Sequence, residues 1–208
     1  MFITLEGQDG SGKSSQIPAI TGLLEGLGHA VVSTREPGGT PVSEALRAML
    51  LKDDMDPVTE TMLICAARKQ HIEEVISPAL SRGDAVVSDR FFDSTYAYQH
   101  GGRGVPEDTI FTLSKIAQGD LQPDLTLLFD VPESVCLERM QGSRVADRFE
   151  KESLDFFTRV RNAYLSLAER NPERVVVIDS HQPIEAVAKD VEAAVKLFLA
   201  RKKPAMRA

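Results

Sequence analysis

The stretch "LEGQDGSGKSSQ" at residues 5–16 decides the fold of this chain. The phosphate-surrounding pattern G-x-x-x-x-G-K-[ST] is met by Gly7, Gly12, Lys13 and Ser14. A β-rich run precedes the loop, and a segment with apolar residues at helical spacing follows it. Backbone N–H groups at such a strand–loop–helix junction face phosphate oxygens. The stretch therefore predicts a P-loop α/β fold and a site for a nucleoside triphosphate.

The side chains of this loop predict how the triphosphate is held. Lys13 is predicted to reach the β- and γ-phosphates, and the Ser14 hydroxyl to bind Mg²⁺. The carboxylate of Asp9 is unusual beside phosphate oxygens, and it is explained if the loop also faces a second ligand. An ordinary βα turn is the alternative, which the flanking strand and helix disfavour. The residues predicted to bind the triphosphate here are Gly7, Gln8, Asp9, Gly10, Ser11, Gly12, Lys13, Ser14 and Ser15.

Strand-like runs alternate with helical segments along the whole chain. The runs are "MFITLE", "AVVST", "DAVVSD", "DLTLLFDV" and "RVVVID". This alternation is typical of a mainly parallel sheet covered by helices on both faces. Pro78 predicts a kink in a long helix over 59–82, and "GGRG" at 101–104 is typical of a flexible loop. We predict one domain over residues 1–208, since no repeat or linker divides the chain.

Composition and charge limit the classes of function. The chain has 208 residues, 42% of them apolar, and a formal net charge of −7. An acidic chain is not expected to bind nucleic acid or an anionic membrane through broad electrostatic attraction. Cys65 and Cys136 are predicted to be buried thiols in a reducing compartment. No apolar run is long enough to span a bilayer, and no signal peptide is expected, so we expect a soluble cytoplasmic protein.

A second anchor for a nucleotide is "VVSDR" at residues 86–90. The apolar run ends in Asp89, and open α/β sheets bind ligands beyond the carboxyl ends of their strands. A carboxylate at that place can hold Mg²⁺ together with Ser14. The alternative is an aspartate that caps the next helix; the position of Asp89 at the strand end favours the metal.

Arginines at the ends of predicted elements indicate a second, anionic ligand. Arg35 in "TREPGGT" follows the second strand, and Arg90 follows the third. Arg68 lies on the long helix, and Arg103 lies in the glycine-rich loop. Guanidinium groups bind phosphate through paired hydrogen bonds, so this set beside a P-loop suits a monophosphate. Each arginine taken singly is more often a surface residue, and the absence of an N-K-x-D motif disfavours a GTPase.

The segment from about residue 139 to 150 is polar, basic and placed between two helices. Its arginines, Arg139, Arg144 and Arg148, are predicted to form a lid over the triphosphate. Closure of such a lid excludes water and brings positive charge to the phosphoryl group in transfer. A solvated connection between helices is the alternative.

Taken together and in order, the motifs resemble those of one enzyme family. They are "EGQDGSGKSSQ", "TREPGGT", "AAR", "SDRFFDSTYAYQ…GGRG", "PDLTLLFDV" and "DRFEKES". The chain is identified as a member of the thymidylate kinase family and is most similar to its bacterial type. The resemblance implies transfer of the γ-phosphoryl group of ATP to dTMP with Mg²⁺. It also implies a nucleoside monophosphate kinase fold with a five-stranded parallel sheet, and a homodimer.

The resemblance further implies roles for single residues. Arg68 would hydrogen-bond the thymine edge, and Tyr98 would crowd a 2′-hydroxyl group and so favour deoxyribose. Asp9 would contact the sugar 3′-hydroxyl or the region of the acceptor phosphate. Adenine would lie near Arg139 and the loop 179–183. The implied dTMP-binding residues are Asp9, Arg35, Ile64, Arg68, Arg90, Thr95, Tyr98 and Gln99, and the implied catalytic residues are Lys13, Arg90, Arg144 and Arg148.

One position departs from the family's pattern. Four residues before Arg68 the family has a phenylalanine that stacks on thymine, and this chain has Ile64. Stacking of a base on an aromatic ring contributes ~1–3 kcal/mol. Either Phe91 or Phe92 compensates, or dTMP binds more weakly. Two alternatives stay open: a kinase of the same fold for another nucleotide or deoxynucleoside, and a nucleotide-dependent switch protein.

Overall fold

Five parallel strands form the sheet of this protein, in the order β2-β3-β1-β4-β5. The computed structural model describes residues 1–140, 148–149 and 152–202. The strands are β1 Phe2–Glu6, β2 Val31–Arg35, β3 Ala85–Asp89, β4 Leu125–Asp130 and β5 Val175–Asp179. The predicted α/β fold with a five-stranded parallel sheet is therefore confirmed. The prediction of one domain over 1–208 stays a prediction, because it includes residues outside the described part.

Helices connect successive strands and cover both faces of the sheet. Within the described ranges they are α1 Ile17–Gly26, α2 Pro41–Lys52, α3 Pro57–His71, α4 Ser77–Ser81, α5 Phe92–Thr95, α6 Glu107–Gln118, α7 Glu133–Met140, α8 Leu154–Arg170 and α9 Ile184–Lys202. A 3-10 turn, Lys13–Gln16, precedes α1, and π-helical turns follow α3 and α5 at Ile72–Ile76 and Tyr96–Gly102. Asp56 begins α3 as its N-cap, since its carboxylate accepts from the N–H groups of Val58 and Thr59.

The alternating side chains of β1 divide the core into two layers. Ile3 and Leu5 are fully buried on the face covered by α1 and α9, and Phe2 packs on the other face beside Phe91. Burial of each such side chain contributes ~1.5–3 kcal/mol.

Cys65 is also buried and forms no disulfide bond, as the sequence predicts.

The predicted kink at Pro78 stays a prediction. The helical backbone continues from α3 through the π-turn Ile72–Ile76 into α4, and Pro78 lies in the first turn of α4. The prediction of a flexible loop at 101–104 is wrong for Gly101 and Gly102. A Cβ atom on Gly102 would lie 2.4 Å from the Phe156 ring, because this π-turn packs tightly against α8.

The register of the strands brings their carboxyl ends to one edge of the sheet. Asp89 pairs with Leu5 of β1 and with Arg35 of β2, and the P-loop leaves β1 at the same edge. Ligand-binding side chains from distant parts of the sequence therefore meet there. No helix within the described residues has the length and apolarity that crossing a bilayer requires.

Glu6, the last residue of β1, is a fully buried carboxyl group at this edge. It accepts hydrogen bonds from the Phe91 N–H at 2.7 Å, the Ser94 hydroxyl at 2.5 Å and the Tyr164 hydroxyl at 3.2 Å. Burial, together with the charge of Asp93, raises the pKa of Glu6 to about 8, although its hydrogen bonds act in the opposite direction. One side chain thus ties β1 to the turn after β3 and to α8.

The raised pKa of Glu6 predicts how stability depends on pH. Between the ordinary value of 4.5 and about 8 the folded protein keeps a proton that the unfolded chain releases. Its contribution to stability is therefore fully present below that ordinary value and is lost as the pH rises through the folded value. We expect the free energy of unfolding of the wild type to fall, relative to that of Glu6→Gln, by a few kcal/mol from about pH 5 to about pH 8.

Urea denaturation at several pH values measures this difference. The exposed Glu173 provides the control, and Glu173→Gln should run parallel to the wild type over the same range. Parallel curves for the wild type and Glu6→Gln would contradict the assignment of a proton to buried Glu6.

Candidate active site

The P-loop is held against the carboxyl end of β4 and against α7 by close backbone contacts. Gly7 and Gly10 have φ values of 139° and 79°, which residues other than glycine rarely adopt. A Cβ atom on Gly7 would lie 2.6 Å from the carbonyl oxygen of Phe129, and one on Gly10 would lie 2.6 Å from that of Cys136. Glycine is therefore required at both positions, and the loop has little freedom to move away from these elements.

Lys13 lies buried at the centre of the loop. Its ammonium nitrogen is 3.7 Å from Asp9 Oδ1 and 4.0 Å from Asp89 Oδ1, and it donates to the Gln8 carbonyl at 3.5 Å. Burial lowers the pKa of Lys13, and the charge of Arg90 acts in the same direction, while the two carboxylates partly offset both. A buried cation held by long contacts is suited to exchange them for phosphate oxygens.

Ser14 and Asp89, the predicted metal-binding residues, lie side by side. The Ser14 hydroxyl donates to Asp89 Oδ2 at 2.6 Å, while Asp89 Oδ1 is buried and makes no hydrogen bond within the described residues. Hydroxyl and carboxylate oxygens are the ligands that Mg²⁺ prefers, so this donor set fits that ion. The described residues contain no group of three acidic, histidine or cysteine side chains that could hold a metal alone, so phosphate oxygens would have to complete the shell.

Arg90 lies beside the P-loop in a strained and strongly held conformation. Its φ of 73° is in the left-handed region. One guanidinium nitrogen donates to Asp9 at 2.9 Å and to the Tyr98 hydroxyl at 3.2 Å. The other donates to Ser94 at 2.9 Å and to Tyr164 at 3.1 Å, the same two hydroxyl groups that Glu6 accepts from.

Asp9 is the link between the P-loop and this guanidinium group. Its side chain is 31% exposed, so the carboxylate has one side toward solvent and the other toward Arg90. Burial alone would raise the pKa of Asp9, but the charges of Arg90 and Lys13 outweigh it and hold the pKa below its usual range. Asp9 therefore stays ionised and orients Arg90. The ion pair with Arg90 explains the presence of a carboxylate in this phosphate loop.

A cavity of about 700 Å³, including its open mouth, lies next to the P-loop. Its lining includes Asp9, which lies 3.7 Å from the Lys13 ammonium nitrogen, together with Arg90, Tyr98 and Arg68. Phe91 and Phe149 contribute aromatic walls, whereas Phe92 lies elsewhere, packed against Tyr96 and Phe111. Most of the residues predicted to bind the acceptor nucleotide line this one cavity: Asp9, Ile64, Arg68, Arg90, Thr95, Tyr98 and Gln99.

Arg35 does not line the cavity in this structure. Its guanidinium group donates to both carboxylate oxygens of Glu44 at 2.9 Å, and its side chain is half exposed. Glu44 also accepts from the Gly39 N–H at 2.9 Å. The predicted contact of Arg35 with the acceptor phosphate stays a prediction.

The predicted lid arginines lie in different surroundings. Arg139 donates to the carbonyl oxygens of Gly10 at 3.4 Å and Ser180 at 3.2 Å, between the P-loop and the turn after β5. Arg144 lies outside the described residues. Arg148 donates to the carbonyl oxygen of Leu50, a residue that lines the cavity, at 3.0 Å and to Glu60 at 2.6 Å.

Sequence reasoning missed four carboxylates or hydroxyls that hold the site together. Glu6 and Tyr164 support Arg90, and Glu36 and Glu60 are buried partners of Arg68 and Arg148. The sequence contains a signal for two of them. Glu6 ends the first strand and Glu36 directly follows the second, so both lie at the ligand-binding edge of the sheet. Glu60 and Tyr164 lie inside helical patterns, which do not indicate what their side chains contact.

Comparison with known proteins agrees with this geometry. The family model of thymidylate kinase matches residues 5–191. Thymidylate kinases from Methylobacillus flagellatus and Neisseria gonorrhoeae are 56% and 53% identical to the chain, covering 91% and 92% of it and 94% of each relative. The crystal structure of thymidylate kinase from Ehrlichia chaffeensis superposes with a TM-score of 0.78 at 33% identity, covering 94% of this chain and 98% of that one. This chain belongs to the thymidylate kinase family.

Proposed function

We propose that this protein transfers the γ-phosphoryl group of ATP to dTMP, which gives dTDP and ADP on the route to dTTP. One observation carries the proposal: Asp9 of the P-loop lines the cavity and pairs with Arg90 there, so an acceptor in the cavity meets a donor in the loop. Relatives of high identity over nearly the whole chain bear the name thymidylate kinase.

The donor nucleotide occupies the P-loop in this proposal. Backbone N–H groups of the loop and the side chain of Lys13 hold the phosphates, and Arg139 borders the adenine at the turn after β5. Ser14 and Asp89 would hold Mg²⁺ together with the phosphates, and the ion would supply positive charge that screens the phosphate oxygens. The donor-binding residues are those of the loop, Gly7, Gln8, Asp9, Gly10, Ser11, Gly12, Lys13, Ser14 and Ser15, with Arg139.

The acceptor nucleotide occupies the cavity. Arg90 holds its phosphate group, Tyr98 lies at the sugar, and Arg68 faces the base. Thr95, Gln99 and Ile64 complete the wall around the base, and Phe91 and Phe149 offer aromatic surface that Ile64 does not. We retain Arg35 as a second phosphate ligand, which requires that it leave Glu44.

Transfer is direct and in line, and it needs no general base, since an oxygen of the dTMP phosphate is already anionic near neutral pH. The main difficulty is that two anions must approach each other. Arg90 and Lys13 supply positive charge at the junction of the two sites, and Asp9 keeps Arg90 in place. Arg144 and Arg148 are proposed to add charge from the lid, for which Arg148 exchanges its contact with Glu60 for the phosphoryl group.

The test of the proposal is a screen of acceptors. ADP release from ATP should depend on the added monophosphate, and dTMP should exceed dUMP, dCMP, dGMP and UMP in kcat/KM. Lys13→Ala should reduce transfer to dTMP by at least about a thousandfold, because it removes a buried cation from the developing charge. Lys115→Ala, which changes an exposed lysine on α6, is the control and should leave turnover unchanged. ATP turnover that ignores every monophosphate would contradict the proposal.

A pair of variants tests the division between donor and acceptor sites. Asp9 and Asp89 both lie within 4.0 Å of the Lys13 ammonium nitrogen, so each substitution removes one nearby negative charge. Asp9→Asn weakens the hold on Arg90 and should raise KM for dTMP about tenfold, with KM for ATP changed much less. Asp89→Asn should raise the requirement for Mg²⁺ and ATP instead. Steady-state kinetics with each substrate varied measures both, and the reverse order would refute the division.

We also propose that the protein is a homodimer that pairs through the long helix α3 and its neighbours. The helices α2, α3 and α6 carry exposed apolar side chains, and these are Val42, Met49, Met62, Phe111 and Ile116. Exposed apolar residues on neighbouring helices are typical of protein interfaces.

A cytoplasmic location stays a prediction from the sequence.

Size-exclusion chromatography with light scattering tests the dimer. The wild type should have twice the mass of one chain, and Met62→Glu with Ile116→Glu should shift it toward the monomer by placing charges in the interface. Leu197→Glu, at an equally exposed position on α9, should leave the mass unchanged. A dimer that survives the double substitution would place the interface elsewhere.

A further inference from the structure

A glutamate of the segment "TREPGGT" makes buried contacts beside the cavity that the sequence does not predict. This glutamate, Glu36, lies between Arg68 and His71 of α3. All three side chains are at least nine-tenths buried, with exposures of 3%, 1% and 0%. A buried charge of this kind persists only where its partners satisfy it.

The contacts of Glu36 fix the direction of each hydrogen bond. Arg68 Nε donates to Glu36 Oε2 at 2.7 Å, and His71 Nδ1 lies 3.0 Å from Glu36 Oε1. A carboxylate only accepts, so Nδ1 carries the proton. The other ring nitrogen, Nε2, lies 2.6 Å from the Thr34 hydroxyl. A chain of donors and acceptors thus runs from β2 through His71 to the guanidinium group of Arg68.

Two of the three guanidinium nitrogens of Arg68 donate hydrogen bonds, and the third does not. Nε donates to Glu36, one terminal nitrogen donates to Thr95 at 2.8 Å, and the group lies 4.9 Å from the Phe91 ring centroid. The other terminal nitrogen, Nη1, is buried and makes no hydrogen bond within the described residues, although Arg68 lines the cavity. A buried donor without an acceptor is costly, so the free protein holds this group ready for a ligand.

The glycine turn of the same segment makes room for this arrangement. Gly39 has a φ of 86°, and a Cβ atom there would lie 2.7 Å from the His71 ring. The turn at Gly39 therefore lies directly against the imidazole ring and supports α3.

We propose that Glu36 and His71 are positioning residues that aim Arg68 Nη1 at a carbonyl oxygen on the edge of the acceptor base. This inference rests on the proposed function. A fixed donor binds a base that presents a carbonyl oxygen at that edge and rejects one that presents an amino group, because two donors would then face each other. Glu36 and His71 therefore set the preference for dTMP over dCMP through Arg68; Glu36 itself also lines the cavity, whereas His71 is not part of that lining.

Glu36→Gln is the principal test. A glutamine has one acceptor oxygen where Glu36 has two, so its amide nitrogen would face one of the two donors, Arg68 or His71, and the substitution also removes the charge that pairs with Arg68. We expect KM for dTMP to rise about tenfold, kcat to stay within about twofold, and the ratio of kcat/KM for dTMP over dCMP to fall about tenfold or more. KM for ATP should not change.

His71→Phe is a second variant that keeps a ring beneath Gly39 and removes only the hydrogen bonds. It leaves the pair of Glu36 and Arg68 intact, so the fall in base preference should be smaller and in the same direction. Should Glu36→Gln yield no folded protein by circular dichroism, His71→Phe decides the question by the same ratio.

The matched control is Asp93→Asn. Asp93 forms a buried pair with Arg174 at 2.7 Å, with exposures of 5% and 12%, and neither residue lines the cavity. This variant should lower the melting temperature and leave the ratio of dTMP to dCMP unchanged.

The outcomes separate the inference from the proposed function. A wild type that does not phosphorylate dTMP contradicts the proposed function itself. An active wild type whose base preference survives both Glu36→Gln and His71→Phe overturns the inference, and so does an equal loss of preference in Asp93→Asn.

Discussion

A buried guanidinium group must be surrounded by acceptors, and the way Arg90 meets this demand governs the arrangement of the site. Its partners come from the P-loop, from α5 and its π-turn, and from α8. Asp9, Tyr98 and Tyr164 are thereby brought to fixed places around one cation. The left-handed backbone of Arg90 shows that these contacts outweigh local strain. Arg90 joins the P-loop to the cavity, because it bonds Asp9 of the loop and also lines the cavity.

The same rule organises three further cations of the site, each with a buried or half-buried carboxylate beside it. Lys13 lies near Asp9 and Asp89, Arg68 pairs with Glu36, and Arg148 with Glu60. A pocket for two polyanions needs concentrated positive charge, and cations placed close together repel each other. The neighbouring carboxylates reduce that repulsion and hold each cation in one orientation.

The order of strands and helices and most of the cavity lining could be predicted from the sequence, because strand ends and short motifs lie in continuous pieces of chain. Residues such as Arg90 and Tyr98 belong to such a motif. The partners of these residues could not be predicted, because they depend on packing between elements far apart in the chain. Glu36 meets His71 across 35 positions, and Glu6 meets Tyr164 across 158. The glycines at 101–102 were misjudged for the same reason, since α8 lies against them.

The place of β1 in the middle of the sheet has a consequence for how the protein is made. The ribosome produces β1 before either of its neighbours, with which it pairs through Phe2 and Val86 and through Ile3 and Leu125. The phosphate loop attached to it also packs against Cys136. This apolar strand therefore stays without its partners until β3 and β4 have been synthesised. Long-range pairing of this kind slows folding and exposes the strand to aggregation, so protection during synthesis matters most for this segment.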